Sequence, residues 1–263
     1  MRKFLAVSKL YFKIQVAYRL DVIMRVLSVL GRTAFAWVLW GAVYSGRSEV
    51  GGMSFQAMVS YYVARSVLAA MVDDDPMYLV SNYIRDGAFS KYMVLPINIQ
   101  GFFLFRALGF QAFMLLFNLL SAALAVLVFG IQFSLSTDLV QIFCALGMMA
   151  LGLVFRVSYG FCLGILAFKF QDIRFFRLMQ DNIVEFISGA LIPLTLLPAA
   201  LTGFLRFLPF YYIPYLPAML LTGQAGDEAL PGLAILACWT GLMLFITQKS
   251  YHRLRVKYDG AGI

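Results

Sequence analysis

Residues 101–129 read GFFLFRALGFQAFMLLFNLLSAALAVLVF, an apolar run in which Arg106 is the only charged residue. A helix needs about 20 such residues to span the hydrocarbon core of a bilayer. The whole 263-residue chain has this character, with 62% apolar and 13% charged residues and a mean hydropathy of +0.84. Soluble domains contain about 45–50% apolar and about 25% charged residues. The composition therefore excludes a soluble or disordered chain and predicts an all-α, polytopic integral membrane protein.

Five further apolar runs accompany this one, so we predict six transmembrane helices. The third and fourth runs are about 30 residues long, which predicts that these two helices tilt or protrude from the bilayer. The six predicted helices cover residues 22–45, 54–72, 101–129, 139–167, 182–201 and 229–248, in round numbers.

Basic residues between the apolar runs predict the orientation. Fifteen Lys and Arg lie at the N-terminus up to Arg25, in the gaps 73–100 and 168–181, and in the tail, whereas the alternate gaps hold only Arg47 and Arg206. Cytoplasmic loops carry the excess of Lys and Arg, so both termini are predicted in the cytoplasm. The net charge of +8 therefore indicates contact with membrane lipids, and we expect no nucleic-acid partner.

The N-terminal residues 1–21 intersperse basic and apolar side chains. This pattern is typical of an amphipathic helix that lies on a membrane surface. The segment lacks the compact apolar core and the small-residue cleavage site of a signal peptide. We therefore predict a surface helix on the cytoplasmic side, ahead of the first transmembrane helix.

The gap between the second and third predicted helices, 73–98, reads DDDPMYLVSNYIRDGAFSKYMVLPIN. Asp75 followed by Pro76 predicts a helix start, because a carboxylate caps free N–H groups and proline needs no donor at the first helical position. Gly87 predicts the helix end. This amphipathic helix either rests on lipid or docks a cytosolic partner, and the pattern leaves both open. Its predicted apolar face carries Met77, Val80 and Ile84.

The segment 189–222 is apolar but rich in proline, with five of the eight prolines of the chain between Pro193 and Pro217. Proline breaks helices, and broken helix at membrane depth occurs only where protein or water covers it. We therefore predict short helices that dip into the outer half of the membrane. The aromatic residues there form either an interfacial belt, which we favour, or a substrate contact. These residues are Phe210, Tyr211, Tyr212 and Tyr215.

Several kinds of catalytic and metal site are excluded by the residues present. One histidine, His252, and three cysteines inside apolar runs build no metal-ligand spacing and no disulfide framework. The sequence contains neither a GxxxxGK[ST] phosphate loop nor a GxSxG nucleophile motif. We therefore expect a protein that is not itself an enzyme and that holds no cofactor.

Two stretches carry a resemblance to a known family: SNYIRDGAFSKYMVLPIN (81–98) and GALIPLTLLPAALTGFLRFLPF (189–210). Together with the six-helix layout they resemble the permease subunits of bacterial type-two ABC exporters, over nearly the whole chain. The resemblance implies that two permeases pair, identical or related, in the bacterial inner membrane. It also implies separate cytosolic ATPase subunits, which bind ATP and Mg²⁺ in place of this chain.

The same resemblance assigns roles to individual segments. Residues 1–21 become the amphipathic elbow helix, and 189–222 become the outer re-entrant helices before the last span. The region 73–100 becomes the cytoplasmic coupling region. The residues implied for contact with the ATPase are Tyr83, Arg85 and Asp86.

Two arginines fall deep inside predicted spans, where a charge costs roughly 2.5–3.5 kcal/mol on insertion scales. Arg32 and Arg65 each lie about 15 Å from a membrane surface at helical rise, so they share a level. No Asp or Glu lies in the middle of a predicted span, and Glu185 falls near the cytoplasmic end of the fifth. We hypothesise that both arginines face a substrate pathway and attract an anionic group. The alternative is a structural role, bonded to backbone carbonyls or to a carboxylate of a partner chain.

Two other functions compete with an ATP-driven permease. An ion-coupled secondary transporter or channel commonly uses intramembrane carboxylates or histidines, which the middles of these spans lack. A membrane enzyme acting on lipids needs paired acids, a nucleophile–base pair or a metal cluster. The one dense acidic run, 73–75, has no histidine near it, so this class ranks last.

Overall fold

The structure is a computed structural model that describes residues 2–17, 19–72, 76–170, 173–190 and 193–257. The α-helices are α1 (Arg2–Ala17), α2 (Arg19–Val43), α3 (Phe55–Met71), α4 (Met77–Arg85), α5 (Ser90–Val94), α6 (Ile99–Phe129), α7 (Leu139–Gly164), α8 (Arg174–Ile187), α9 (Ala199–Leu205), α10 (Tyr215–Leu221) and α11 (Ala229–Leu254). Short 3-10 helices occupy Ile165–Phe168, Leu194–Leu196, Pro209–Tyr212, Gly226–Glu228 and Arg255–Lys257. Strands β1 (Glu49–Val50) and β2 (Met53–Ser54) form an antiparallel hairpin.

Within the described residues, four segments are long and apolar enough to cross a membrane: Val22–Val43, Ile99–Phe129, Leu139–Phe168 and Gly226–Leu254. A fifth results if Ala199–Leu205 and Pro209–Leu221, which meet at 89°, count as one broken span. These segments confirm the all-α membrane class. The exact number of six spans stays a prediction.

The fifth predicted helix, 182–201, is wrong as a continuous element. α8 begins earlier, at Arg174, and ends at Ile187. Gly189 then adopts a φ of +67°, which glycine tolerates best, and a 3-10 turn and α9 follow Pro193 and Pro198. The prediction was wrong because the end of α8 and the broken segment that follows it are both apolar, so their hydropathy reads as one continuous span.

Helix α3 lies in the middle of the bundle, packed against α2, α6 and α10. Ser54 precedes it as the N-cap, and its side-chain oxygen accepts a hydrogen bond from the Ala57 N–H at 3.3 Å. The hairpin before it turns at Gly51 and Gly52, both at positive φ. The Tyr44 hydroxyl closes this connection by donating to the Met53 carbonyl oxygen at 2.7 Å.

The predicted N-terminal helix forms as α1, and it packs along α6. The Phe4 and Phe105 rings stack at 5.0 Å, and the Phe12 and Phe113 rings meet edge to face at 5.3 Å. The close approach depends on Gly109, because a Cβ at that position would lie 2.2 Å from the carbonyl oxygen of Ser8. The elbow role of α1 stays a prediction.

The aromatic residues of the segment predicted to be outer do not form the predicted interfacial belt. Phe210, Tyr211, Tyr212 and Tyr215 are buried within the protein. Their rings pack on one another and on α3 and α7, with ring centroids 4.9 Å apart for Tyr211 and Tyr215. A hydropathy argument places aromatic rings at an interface, but here the folded-back chain covers them.

The broken segment is also tied to the start of α11. Arg206 forms an ion pair with Glu228, which accepts a second hydrogen bond from the Tyr211 hydroxyl at 2.9 Å. Trp239 Nε1 donates to the Phe207 carbonyl oxygen at 3.0 Å. These bonds hold the broken, proline-rich segment against α11 and the 3-10 turn before it.

Candidate functional site

Arg65 lies on α3 and is only 9% exposed. Its Nε donates to the backbone oxygen of Ser188 and its Nη2 donates to Ser188 Oγ, both at 3.1 Å. One turn earlier, the Tyr61 hydroxyl donates to the Gly189 carbonyl oxygen at 3.3 Å. The last carbonyls of a helix lack partners inside it and carry partial negative charge. Arg65 and Tyr61 therefore cap the end of α8 and hold it against α3.

Arg32 lies on α2 and is exposed. Together with Arg65 it lines a cavity of about 450 Å³ between α2, α3 and α8. The structure thus brings the two deep arginines together, as their shared level predicts, and the Arg32 charge acts on the Arg65 guanidinium. The other lining residues are Gly31, Phe35, Ala36, Leu39, Trp40, Tyr62, Ser66, Glu185 and Ala190.

Glu185 is the cavity residue that the sequence pattern missed. The prediction placed it at the cytoplasmic start of the fifth span, but α8 starts at Arg174, so Glu185 falls in its last turn. There it lines the same cavity as the two arginines, and its charge acts on Arg65. The helical period of the stretch 174–187, taken alone, is the signal that could have found this position.

The predicted coupling helix forms as α4, and its apolar face is confirmed. Met77, Val80 and Ile84 are buried against the end of α7 and the 3-10 turn after it. Gly164 permits this contact, because a Cβ there would lie 2.8 Å from Val80 Cβ and 3.0 Å from the Met77 carbonyl oxygen. The predicted stop is confirmed at Gly87, whose φ is +74°. The predicted cap Asp75 lies outside the described residues.

The three residues implied for ATPase contact occupy different environments. Arg85 and Asp86 are open to solvent, with side chains 48% and 66% exposed, and Arg85 Nε lies 3.8 Å from Asp86 Oδ1. Tyr83 is half-buried and stacks on Tyr92 at 5.7 Å. Lys91 Nζ lies 4.8 Å from the centre of the Tyr83 ring and 5.0 Å from that of Tyr92. Burial raises the pKa of the Tyr92 hydroxyl, so it stays neutral beneath the ammonium group.

No group of three His, Cys, Asp or Glu side chains in the described part of the chain could hold a metal ion. The candidate site is instead a cavity large enough to hold water, lined mainly by apolar residues and by three charged ones, Arg32, Arg65 and Glu185. Together with this cavity, the four long apolar segments of the described residues indicate a multi-pass membrane protein.

The comparison with protein families makes this class more specific. The model of the ABC-2 family transporter proteins matches residues 30–262, well over half of the chain, so the chain belongs to the ABC-2 transporter family. It is accordingly a permease component of an ABC transporter. Permeases of this family are in general not enzymes, and they work with ATPase subunits. No curated protein matches the sequence.

Proposed function

We propose that this chain is the permease subunit of an ATP-driven exporter, paired with a second permease that is identical or related. Separate cytosolic ATPases bind ATP and Mg²⁺ and drive it. The chain lies in the bacterial inner membrane with both termini in the cytoplasm. Family membership and the asymmetry of the basic residues support this arrangement.

The observation that carries the proposal is that α4 is packed against α7 on one face and exposed to solvent at its C-terminal end. Its inner face is packed on α7 with no room for a methyl group at Gly164. Its far end offers Arg85 and Asp86 to solvent. A partner that moves α4 through these charges therefore moves the cytoplasmic end of α7 with it.

The cavity with Arg32 and Arg65 is the proposed part of the substrate pathway within this chain. Arg32 is exposed there. Arg65 is buried in the cavity wall and bonded to Ser188, and its charge adds to the positive potential of the cavity. A cavity lined by two cations and one carboxylate attracts anionic groups. The exposed wall formed by α2 is where the second permease would close the pathway.

Charge reversal tests the coupling role. The double variant Arg85→Glu with Asp86→Lys keeps one charge of each sign but inverts their positions. We expect several-fold less ATPase to co-purify with the tagged permease, because complementary rim charges are turned into repulsive ones. The matched control is Arg47→Glu, in the exposed loop after α2, which should retain the ATPase. Unchanged capture and unchanged ATP hydrolysis in the double variant would refute the coupling role of these residues.

A further inference from the structure

A second, smaller cavity of about 100 Å³ adjoins the first and lies between α2, α3 and α6. The two cavities share Arg32 and Ser66, so Arg32 lies at the boundary between them. The small side chains of α3 leave this space open. The lining residues are Ser28, Val29, Arg32, Ser66, Ala69, Ala70 and Asn118.

Asn118 is the unusual member of this lining. It lies about 11 residues, or about 16 Å, from the end of α6, which is the same depth that Arg32 has from the end of α2. It is 2% exposed, and its Nδ2 has no hydrogen-bond partner among the described residues. A buried donor without a partner is costly, and native structures normally satisfy it with protein, water or a ligand.

The donors and acceptors of the cavity define what would satisfy it. Ser66 Oγ already donates to the Val63 carbonyl oxygen at 2.8 Å. Among the described residues, the donors left are the Ser28 hydroxyl, the amide N–H groups of Asn118 and the guanidinium of Arg32, which has donors and no acceptor. Within the described part of the chain, no carboxylate lines this cavity. The complementary group is therefore an acceptor that carries negative charge.

The charge balance of the two cavities points the same way. Arg32 and Arg65 contribute two positive charges, and Glu185 contributes one negative charge in the larger cavity only. Among the described residues, one positive charge is left over at the predicted mid-depth of the membrane, where an unpaired charge is expensive. The volume holds about three waters at about 30 Å³ each, or one oxyanion group of similar size.

We propose that the small cavity binds a single oxyanion group, a phosphate or a carboxylate, which Arg32 pairs electrostatically and Asn118 binds by its amide. This proposal rests on the proposed function for its role in transport, since it names the anionic group that the pathway accepts. The group belongs either to a membrane lipid or to a soluble molecule.

Thermal denaturation of the full chain in nanodiscs tests the site without ATPase or nucleotide. Inorganic phosphate is titrated into neutral phosphatidylcholine discs, against sodium chloride at equal ionic strength, and discs with a minor fraction of phosphatidic acid form a second arm. We expect a saturable rise of the unfolding midpoint in at least one arm. A rise with phosphate identifies a soluble source, and a rise confined to phosphatidic acid identifies a lipid headgroup.

Two variants connect that rise to this cavity. Arg32→Gln and Asn118→Leu should each weaken the apparent affinity about tenfold or more, because the first removes the positive charge and the second removes the amide donor. Asn118→Ser serves as a second replacement if the leucine variant does not fold. The control Gln111→Leu changes a buried amide two turns earlier on α6, and it should keep the affinity.

The proposal is overturned if neither arm gives a saturable rise, which is the result for a cavity that holds water only. It is equally overturned if the rise persists in both Arg32→Gln and Asn118→Leu. Because the assay contains no ATPase, either result leaves the coupling test of Arg85 and Asp86 independent of it.

Discussion

The junction of α4 with α7 and the cavity between α2, α3 and α8 are packed in opposite ways. At the junction, apolar side chains close on Gly164 so tightly that a Cβ would lie 2.8 Å from Val80 Cβ. Around the cavity, mainly apolar side chains and the charged Arg32, Arg65 and Glu185 line about 450 Å³ of open space. Tight packing transmits displacement, whereas open space admits a ligand or a movement. In the proposed function, the tightly packed junction transmits motion and the open cavity contains the transported group.

Breaking the junction should have the largest effect. Gly164→Ala introduces a methyl group against Val80 and the Met77 carbonyl oxygen, and overpacking of this kind costs typically about 1–3 kcal/mol. We expect a lower unfolding midpoint and reduced ATPase-coupled transport. Gly41→Ala is the matched control, since a Cβ there has nothing within 4 Å. Equal midpoints for the two variants would contradict the tight junction.

The next largest effect should be a difference in stability between variants of the two cavity arginines, Arg65 and Arg32. Arg65→Gln leaves the Ser188 carbonyl and hydroxyl short of donors, so we expect about 1–3 kcal/mol less stability. Arg32→Gln leaves the bonds to Ser188 intact and should therefore reduce stability less than Arg65→Gln does. Chemical or thermal denaturation of both purified variants measures the difference. Export measured alongside assembly then tests the pathway, and normal transport by the assembled double variant would remove both arginines from it.

The smallest expected effect concerns Lys91, at the surface of the predicted coupling region. Lys91→Gln removes the ammonium group above the Tyr83 and Tyr92 rings, a contact worth about 0.5–1 kcal/mol at exposed sites. Lys91→Arg should retain most of it. Denaturation midpoints of the two variants provide the measurement. A glutamine variant as stable as the arginine variant would show that this contact contributes nothing to holding Tyr83.

Local patterns predicted the features that depend on neighbours in the sequence. The third and fourth spans, the apolar face with Met77, Val80 and Ile84, and the stop at Gly87 all follow from periodicity and backbone preference. The shared level of Arg32 and Arg65 followed from helical rise alone.

Features that depend on distant parts of the chain could not be predicted in this way. The start of α8, and with it the position of Glu185, was hidden because hydropathy averages over an amphipathic helix and the broken segment behind it. The tyrosines at 211, 212 and 215 are buried because the segment predicted to be outer folds back on α3 and α7. Asn118 was unremarkable inside its apolar run, since only the packing of three helices reveals that its Nδ2 lacks a hydrogen-bond partner among the residues that the structure describes.

The close contact of α1 with Gly109 makes α1 a reporter of the position of α6. Ser8 sits against that glycine with its backbone, and its hydroxyl donates to the Phe105 carbonyl oxygen at 2.6 Å. This close contact and hydrogen bond hold α1 in one position along α6, so the two helices are expected to move together. A spin label or fluorophore on the exposed Leu10 side chain would consequently track the displacement of α6 during the transport cycle.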